Sequence, residues 1–507
     1  MSGAGRAEVK RRRNVIKKIE PDYAQFCRLA AKGNIVPVYA ETMADVLTPV
    51  SAYINIAKGK KYSFLLESVV GGDRIARYSF LGISPYSVFK SKGDKYEIDG
   101  VSYQGDPLKA IDRIFQRFKV AGAEGLPPFI GGGVGFFGYD IIRHIENLPL
   151  HAKDDLGFPD ISFMFTDSIL IFDHLKHKIK IVCCARIEKG RSLRESYQEA
   201  QARIETLYNE LWSARFMKPS PAPAKKPKPV RFTTNMTKEQ FKKNVKTAKE
   251  HIKAGDIFQV VLSQRFSTKT ETPPFDIYRE LRSVNPSPYM FYLQLDDITL
   301  IGASPEALVT VRGRDITVRP IAGTRPRPAD PAREDSVVAG LLADEKERAE
   351  HIMLVDLGRN DLGRVAEPGT VKVTDLMTIE KYSHVIHIVS NVTGKLRKGR
   401  NAVDTLRACF PAGTVSGAPK VRAMEIIEKL EPTRRGPYAG AIGYLSFTGF
   451  FDTCITIRTI FMKDGEAHVQ AGGGIVADSV PEREYMESVN KAKALRIAIE
   501  RAAEGIS

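Results

Sequence analysis

Apolar residues along this chain change their spacing from one segment to the next, and the spacing predicts the elements. Over residues 22–32 they recur at helical intervals, and runs rich in β-branched and aromatic residues then dominate at 36–40, 63–70, 161–172 and 179–185. Those runs read as strands. Helical periodicity returns at 191–212, at 237–254 with Gly255 as its stop, near 275–284 and at 344–364, while 257–266 reads as a strand. Asn285-Pro286-Ser287-Pro288 breaks the chain ahead of a strand pair at 289–295 and 300–303. A last helix starts at Asp478-Ser479-Val480-Pro481, with the proline in its first turn. No fixed-period repeat appears. Hairpin-like strand pairs with helices between them predict an α+β fold with large, mainly antiparallel sheets and flanking helices.

Length adds that 507 residues exceed one simple core, so two lobes or one elaborated fold are expected, stable without disulfides. The five cysteines, at 27, 183, 184, 409 and 454, show no metal-ligand spacing, and reduced thiols of a cytoplasmic protein are expected. No apolar stretch approaches the ~18 residues a membrane span needs, and the N-terminus lacks the apolar core of a secretory signal. A soluble protein with no membrane partner is expected. The net charge of +16 would suit a nucleic-acid partner, but its distribution argues otherwise. Residues 1–18 carry seven basic residues and one Glu, and 214–231 carry six basic residues and no acid, so twelve of the sixteen charges lie in two low-complexity segments. With no zinc finger, recognition helix or aromatic-interleaved basic patch, no nucleic-acid partner is expected. Residues 1–20 read as a disordered basic arm and 214–231 as a Pro/Lys-rich linker, which separates 21–213 from 232–507.

Several segments carry candidate chemistry. Arg319-Pro320-Ile321-Ala322-Gly323-Thr324-Arg325-Pro326-Arg327 reads as a rigid cationic turn, in which Gly323 allows close backbone approach and Thr324 adds a hydroxyl; it suits a carboxylate ligand, or is a plain surface turn. On the helix at 344–364, Glu350 falls beside an apolar face. Glu484 and Glu487 lie three apart on one face of the last helix, so two helices can converge carboxylates on one point, although Glu487 can equally pair with Lys491 four residues on. Ala471-Gly472-Gly473-Gly474, after the strand-like 468–470, offers bare backbone N–H groups for an anion, or is a tight strand-to-helix connection. Arg458 ends an alternating strand-like run from Asp452, and supplies a planar charged fork suited to a carboxylate. In the strand-like 381–389, period-two geometry sends His384 and His387 to opposite faces. Gly131 to Asp140, rich in glycine, reads as a packing element rather than a ligand loop.

Together with Gly302-Ala303-Ser304-Pro305-Glu306, the helix segment from Glu350 to Asp361, Phe410-Pro411-Ala412-Gly413-Thr414-Val415-Ser416-Gly417-Ala418-Pro419-Lys420 and Arg434-Arg435-Gly436-Pro437-Tyr438, these segments resemble the chorismate-utilising enzymes. The resemblance runs from about residue 235 to the C-terminus, and more thinly over 20–210. It implies a complex α/β sandwich, a regulatory region at 21–213 and a catalytic chorismate-binding region at 232–507. It implies Glu350 and Glu487 as Mg²⁺ ligands with Glu484 adjoining, and Gly323, Thr324, Tyr438, Arg458, Gly472, Gly473 and Gly474 as substrate contacts. His387 is implied for proton transfer and Glu306 as the acid for the leaving C4 hydroxyl. The segment from Phe410 would shape an active-site lid.

Two positions separate the reactions of the family. Members that form an adduct through lysine carry it where this chain has Ala322, and members that activate water carry a lysine where it has Gln259; neither side chain present is a nucleophile or a base. Ammonia needs neither, so conversion of chorismate and ammonia to anthranilate and pyruvate is expected, with an enzyme stopping at aminodeoxyisochorismate, an aminodeoxychorismate synthase or a non-catalytic tryptophan-sensing homologue as alternatives. No cysteine sits in a Gly-x-Cys-x-Gly elbow, so a separate glutamine amidotransferase subunit and a hetero-oligomer are expected. Leu65-Leu66-Glu67-Ser68 and Asn285-Pro286-Ser287-Pro288-Tyr289-Met290 resemble two halves of the family's tryptophan feedback site. Ser68 is expected at the amino-acid end, with Pro288, Tyr289 and Met290 around the indole.

Overall fold

The computed structural model describes residues 16, 18–68, 77–213, 229–328, 330–381 and 385–505. Most of the basic arm, residues 214–228 of the linker, the end of the 63–70 run and His384 lie outside the described residues. Two sheets dominate, of 13 and 12 strands among the described residues, and the ladders within them are antiparallel. The first runs from Ile35–Met43 through Lys178–Arg186, Ser168–Asp173, Tyr78–Ile83 and Tyr62–Glu67, then across Tyr289–Leu295, Ile298–Ser304, Thr459–Lys463 and Glu466–Ile475 to Gln259–Lys269. In the second, Ala441–Ser446 pairs with Gly132–Phe137, again joining the region before the linker to the region after it. Segments from both sides of the linker thus share both sheets.

The apolar runs are nearly continuous because the first sheet is covered on both faces. Along Tyr289–Leu295, Phe291, Leu293 and Leu295 enter the core between the sheets, while Met290 and Tyr292 enter a second core under the helices Leu193–Leu211, Pro274–Val284 and Pro481–Glu504. Cys183 and Cys184 separate in the same way, one into each core. Phe64, Phe129 and Phe136 are fully buried between the sheets, and each such ring contributes about 1.5–3 kcal/mol of burial.

Two expectations fail where the chain passes from one sheet to the other. The run at 161–172 is two strands, Ile161–Thr166 in the second sheet and Ser168–Asp173 in the first, with a break at Asp167. Apolar patterning cannot reveal that break, because both strands are buried on both faces. The run from Asp452 to Arg458 likewise ends as a strand at Ile455; Arg458 sits at φ 51°, in the left-handed region, just before the strand Thr459–Lys463 of the first sheet. Pro305 and Glu306 make the third crossing, between Ile298–Ser304 and Ala307–Arg312.

The glycine run is also not a connection. Gly472, Gly473 and Gly474 lie inside Glu466–Ile475, opposite Ser263, Leu262 and Val261. A Cβ on Gly472 would stand 2.2 Å from the Leu262 carbonyl oxygen, so glycine is required by the closeness of the strands. Similarly, the expected turn at 319–327 contains the strand Ile321–Pro326, with a bulge at Gly323 (φ 66°).

Candidate active site at the seam of the two sheets

Two of the crossings lie side by side and carry the reactive candidates. Ser304 Oγ donates to the Ile455 carbonyl at 2.7 Å, and the Ile455 N–H donates to the Glu306 carbonyl at 3.0 Å, so the backbone beside Glu306 is tied to the strand that leads to Arg458. The Glu306 side chain is buried and accepts a hydrogen bond from Thr414 Oγ1 at 3.0 Å. Burial pushes its carboxyl up to about 8. At neutral pH it is therefore a protonated acid, the state a proton donor requires.

Thr414 belongs to a short 3-10 turn, Gly413–Val415, and the expectation of a lid is corrected there. Gly413, Val415 and Ser416 are buried, and Lys420 grips Asp361 through both carboxylate oxygens at 3.0 and 2.9 Å. Arg435, 2% exposed, donates to the Val415 carbonyl at 2.6 Å, to the Val261 carbonyl at 2.8 Å and to both oxygens of Glu431. This segment is a clamped wall. Its rigidity fixes Thr414 against Glu306.

The carboxylates converge as the two-helix argument requires. Asp344 caps the helix Glu345–Gly363 by accepting from Lys346 and Glu347, which points Glu350 toward the cleft. Glu350 is open on its cleft side, and the protein around the rest of it raises its carboxyl, with further upward pushes from Glu347 and Glu487. The neighbouring Gln259 side chain pulls it the other way. Gln259 lies across Gly474, where a Cβ would fall 2.2 Å from its Nε2. On the helix Pro481–Glu504, Glu484 and Glu487 face Gly473, whose Cβ would lie 3.4 Å from an oxygen of the first and 3.2 Å from one of the second. Lys491 joins the group, bonding Glu487 at 2.7 Å and the Gly472 carbonyl at 3.0 Å.

Among the described residues, no group of three His, Cys, Asp or Glu side chains is placed to enclose a metal ion. The donor set suits a hard cation held in another way: Glu350 and Glu484, whose proton affinity burial and neighbouring acids raise, Glu487 beside them, bare glycine backbone, and one lysine as the neutralising charge. Mg²⁺ is ordinarily held by one or two carboxylates, with water and substrate oxygens completing its shell. Glu350 and Glu487 fit that role, with Glu484 adjoining.

Around these acids lie the anion-binding candidates. Arg458 is half-buried, donates to the Lys491 carbonyl at 2.6 Å, and faces Tyr438 and Glu487; burial lowers its proton affinity. It borders an opening shared with Met486, Glu487, Asn490 and Lys491. Tyr438 is buried under the Arg435 guanidinium, which stands 5.5 Å from its ring centre, and burial pushes its hydroxyl up to about 12. His387 pairs with Thr324 in the ladder, and its ring hydrogen-bonds the Gly323 backbone; burial lowers its pKa, so the ring is neutral at neutral pH.

The cationic character expected of the segment from Arg319 is largely spent within the protein. Arg319 pairs with Glu380, Arg325 with Asp344 and Glu347, and Arg327 with Glu334. The segment's contribution to the cleft is the Gly323 bulge. Conversely, sequence reasoning missed Lys491, set aside as a helix-surface pair, as well as Thr414 and Arg435, which it placed only within longer motifs. In both motifs the polar residue adjoins a glycine, Gly413 or Gly436, the signal that could have singled these two out.

The chorismate binding enzyme family model matches residues 61–496. The chain belongs to the chorismate-binding enzyme family. It is 50% identical to anthranilate synthase component 1 of Acetivibrio thermocellus over 94% of this chain and 97% of that one, and 46% identical to its namesake from Pseudomonas putida with the same shares covered. Among solved structures, anthranilate synthase component I from Streptococcus pneumoniae superposes with a TM-score of 0.74 at 39% identity, covering 90% of this chain and 98% of that one. The menaquinone-specific isochorismate synthase from Escherichia coli shares the fold, with a TM-score of 0.69 at 19% identity over 94% of this chain and 98% of that one.

Proposed function

We propose that this chain is the aminating component of an anthranilate synthase, converting chorismate and ammonia to anthranilate and pyruvate. The observation that carries the reading is a buried, protonated Glu306 in a cleft whose two reaction-determining positions, Ala322 and Gln259, supply no amine. Ammonia is then itself the nucleophile. It adds at C2 as Glu306 gives its proton to the departing C4 hydroxyl, which leaves as water. Removal of the C2 proton, for which neutral His387 is suited, breaks the bond to the enolpyruvyl oxygen; pyruvate leaves and the ring becomes aromatic. Arg458 holds a substrate carboxylate, with Tyr438 beside it, and Gly323, Thr324 and Gly472 to Gly474 form the close backbone walls. Glu350 and Glu487 would hold Mg²⁺, which neutralises a substrate carboxylate that these acids would otherwise repel.

The remaining partners follow from that chemistry. A separate glutaminase subunit supplies ammonia, consistent with the component 1 names of the relatives, and the assembly is a hetero-oligomer in the cytoplasm. No helix among the described residues is long and apolar enough to cross a membrane. Feedback by tryptophan has a place to act. The two expected halves meet at a cavity of about 840 Å³ bordered by Ser68, Pro288, Tyr289 and Met290, and Ser68 Oγ is buried there with no hydrogen-bond partner among the described residues. Met290 and Phe291 both border the cavity, and the Met290 side chain also packs in the second core. The strand Phe451–Ile455 borders this cavity at Asp452 and ends at Ile455, beside Glu306, which gives effector and substrate a shared element through which each weakens the other's binding.

The test is the purified chain with chorismate, Mg²⁺ and ammonium, followed by anthranilate fluorescence and pyruvate release. Anthranilate with ammonium but not with glutamine is expected. Accumulation of aminodeoxyisochorismate without pyruvate would reject the two-stage reaction, and glutamine-dependent turnover by the chain alone would reject the separate subunit.

A further inference from the structure

The cavity beside Ser68 and Tyr289 holds one acidic group that nothing so far has used. Its walls are largely aromatic, including Phe80, Tyr289, Phe291, Tyr444 and Phe450, and the Tyr444 and Phe450 rings stack at 6.0 Å. Three carboxylates and two arginines border it as well. Glu67 is already engaged by the Tyr278 hydroxyl and by Arg282, and Arg77 by Asp173 at 3.0 Å. Arg312 lies over the Phe450 ring, 5.3 Å from its centre. Glu124, on the segment leading to Pro127 and Pro128, is exposed to solvent.

Asp452 is different. Both of its hydrogen bonds, from Tyr289 Oη at 3.2 Å and Thr310 Oγ1 at 3.3 Å, fall on the same oxygen, Oδ1. Oδ2 has no partner among the described residues, although the carboxylate stands among Tyr289, Tyr444 and Phe450. A carboxylate oxygen in an aromatic cavity is costly without a donor, and one open acceptor matches a ligand group with one hydrogen to give. An ammonium has three donors and would need two further acceptors. A ring N–H has one.

We infer that Asp452 is the specificity-determining residue of this cavity, accepting the ring N–H of an indole-bearing amino acid through Oδ2. The inference rests on the cavity being the tryptophan site proposed above. It assigns the aromatic end of the ligand to Asp452 and leaves the amino-acid end to Ser68 and the adjoining main chain. A ring of the same shape without the N–H would leave Oδ2 buried and unpaired, which disfavours it by about tenfold or more.

The experiment is calorimetric titration of the full chain with L-tryptophan and with 3-benzothienyl-L-alanine, in which sulfur replaces the N–H. The parent should bind tryptophan at least about tenfold more tightly. In Asp452→Leu the ratio should fall to within about twofold, because the acceptor is gone while the ring walls remain. Equal binding of the two ligands by the parent, a measurement that needs no variant, overturns the assignment of Asp452 and leaves the tryptophan site standing. A folded Asp452→Leu that keeps the parent's ratio, or that loses both ligands equally as the loss of an ammonium partner would cause, also overturns it. Binding of neither ligand by the parent overturns the tryptophan site and this inference with it.

Discussion

Glu306→Gln is expected to exchange activity for stability. Burial lifts this carboxyl from 4.5 to about 8, so between those values the unfolded chain releases a proton that the folded chain keeps. The contribution of Glu306 to stability is therefore complete below pH 4.5 and is lost as pH rises toward 8. Glutamine does not ionise, has nearly the same shape, and can still accept the Thr414 hydroxyl. At pH 7, about 2.5 pH units above 4.5, the variant should be more stable than the parent by about 3 kcal/mol, from 1.36 kcal/mol per unit. At pH 5 the difference should shrink below about 1 kcal/mol. Losing the proton donor should at the same time lower kcat about 10²- to 10⁴-fold. Urea midpoints at pH 5, 7 and 8 measure the first effect, and anthranilate fluorescence at a fixed concentration of NH₃ measures the second. The same assay on the parent should show activity falling as pH passes about 8, where Glu306 gives up its proton. A variant no more stable than the parent at pH 7, or one that keeps its kcat within a few-fold, would refute the reasoning.

Other expectations follow from the same geometry. Glu350→Gln and Glu487→Gln should each remove Mg²⁺-dependent activity while leaving the circular dichroism spectrum intact; unchanged Mg²⁺ dependence in both would sink the ligand assignment. His387→Ala should slow elimination more than addition, so mass spectrometry should find aminodeoxyisochorismate in its product mixture, and a proportional loss of both stages would argue against the division of roles. Ser68→Phe should fill the cavity and abolish tryptophan inhibition, whereas inhibition like the parent's would put the effector elsewhere. Gly472→Ala must push the Leu262 carbonyl away from a Cβ at 2.2 Å, and should cost about 1–3 kcal/mol in a urea titration; a variant as stable as the parent would show that the strands can separate there.

By itself the sequence determined the local chemistry and most elements. Spacing located the helix Glu345–Gly363 to within a residue at each end, and the glycines and carboxylates of the candidate site were legible as types because the roles proposed for them need those types. Reading stopped where a residue's meaning depends on what lies opposite. The run at 161–172 looks uniform because both its strands are buried on both faces, and only the third dimension shows them in different sheets. Arg458 and Glu306 gain their positions from crossings that leave no period in the chain. Lys491 and Glu487 make an ordinary i,i+4 pair on paper; the bare backbone of Gly472 and Gly473 across the cleft makes them part of a site. The arginines at 319, 325 and 327 went the other way, since acids from distant segments had already claimed them. Local pattern encodes which backbone shape and which chemistry a segment can adopt, whereas proton affinity, pairing and access depend on neighbours that only the folded chain brings together.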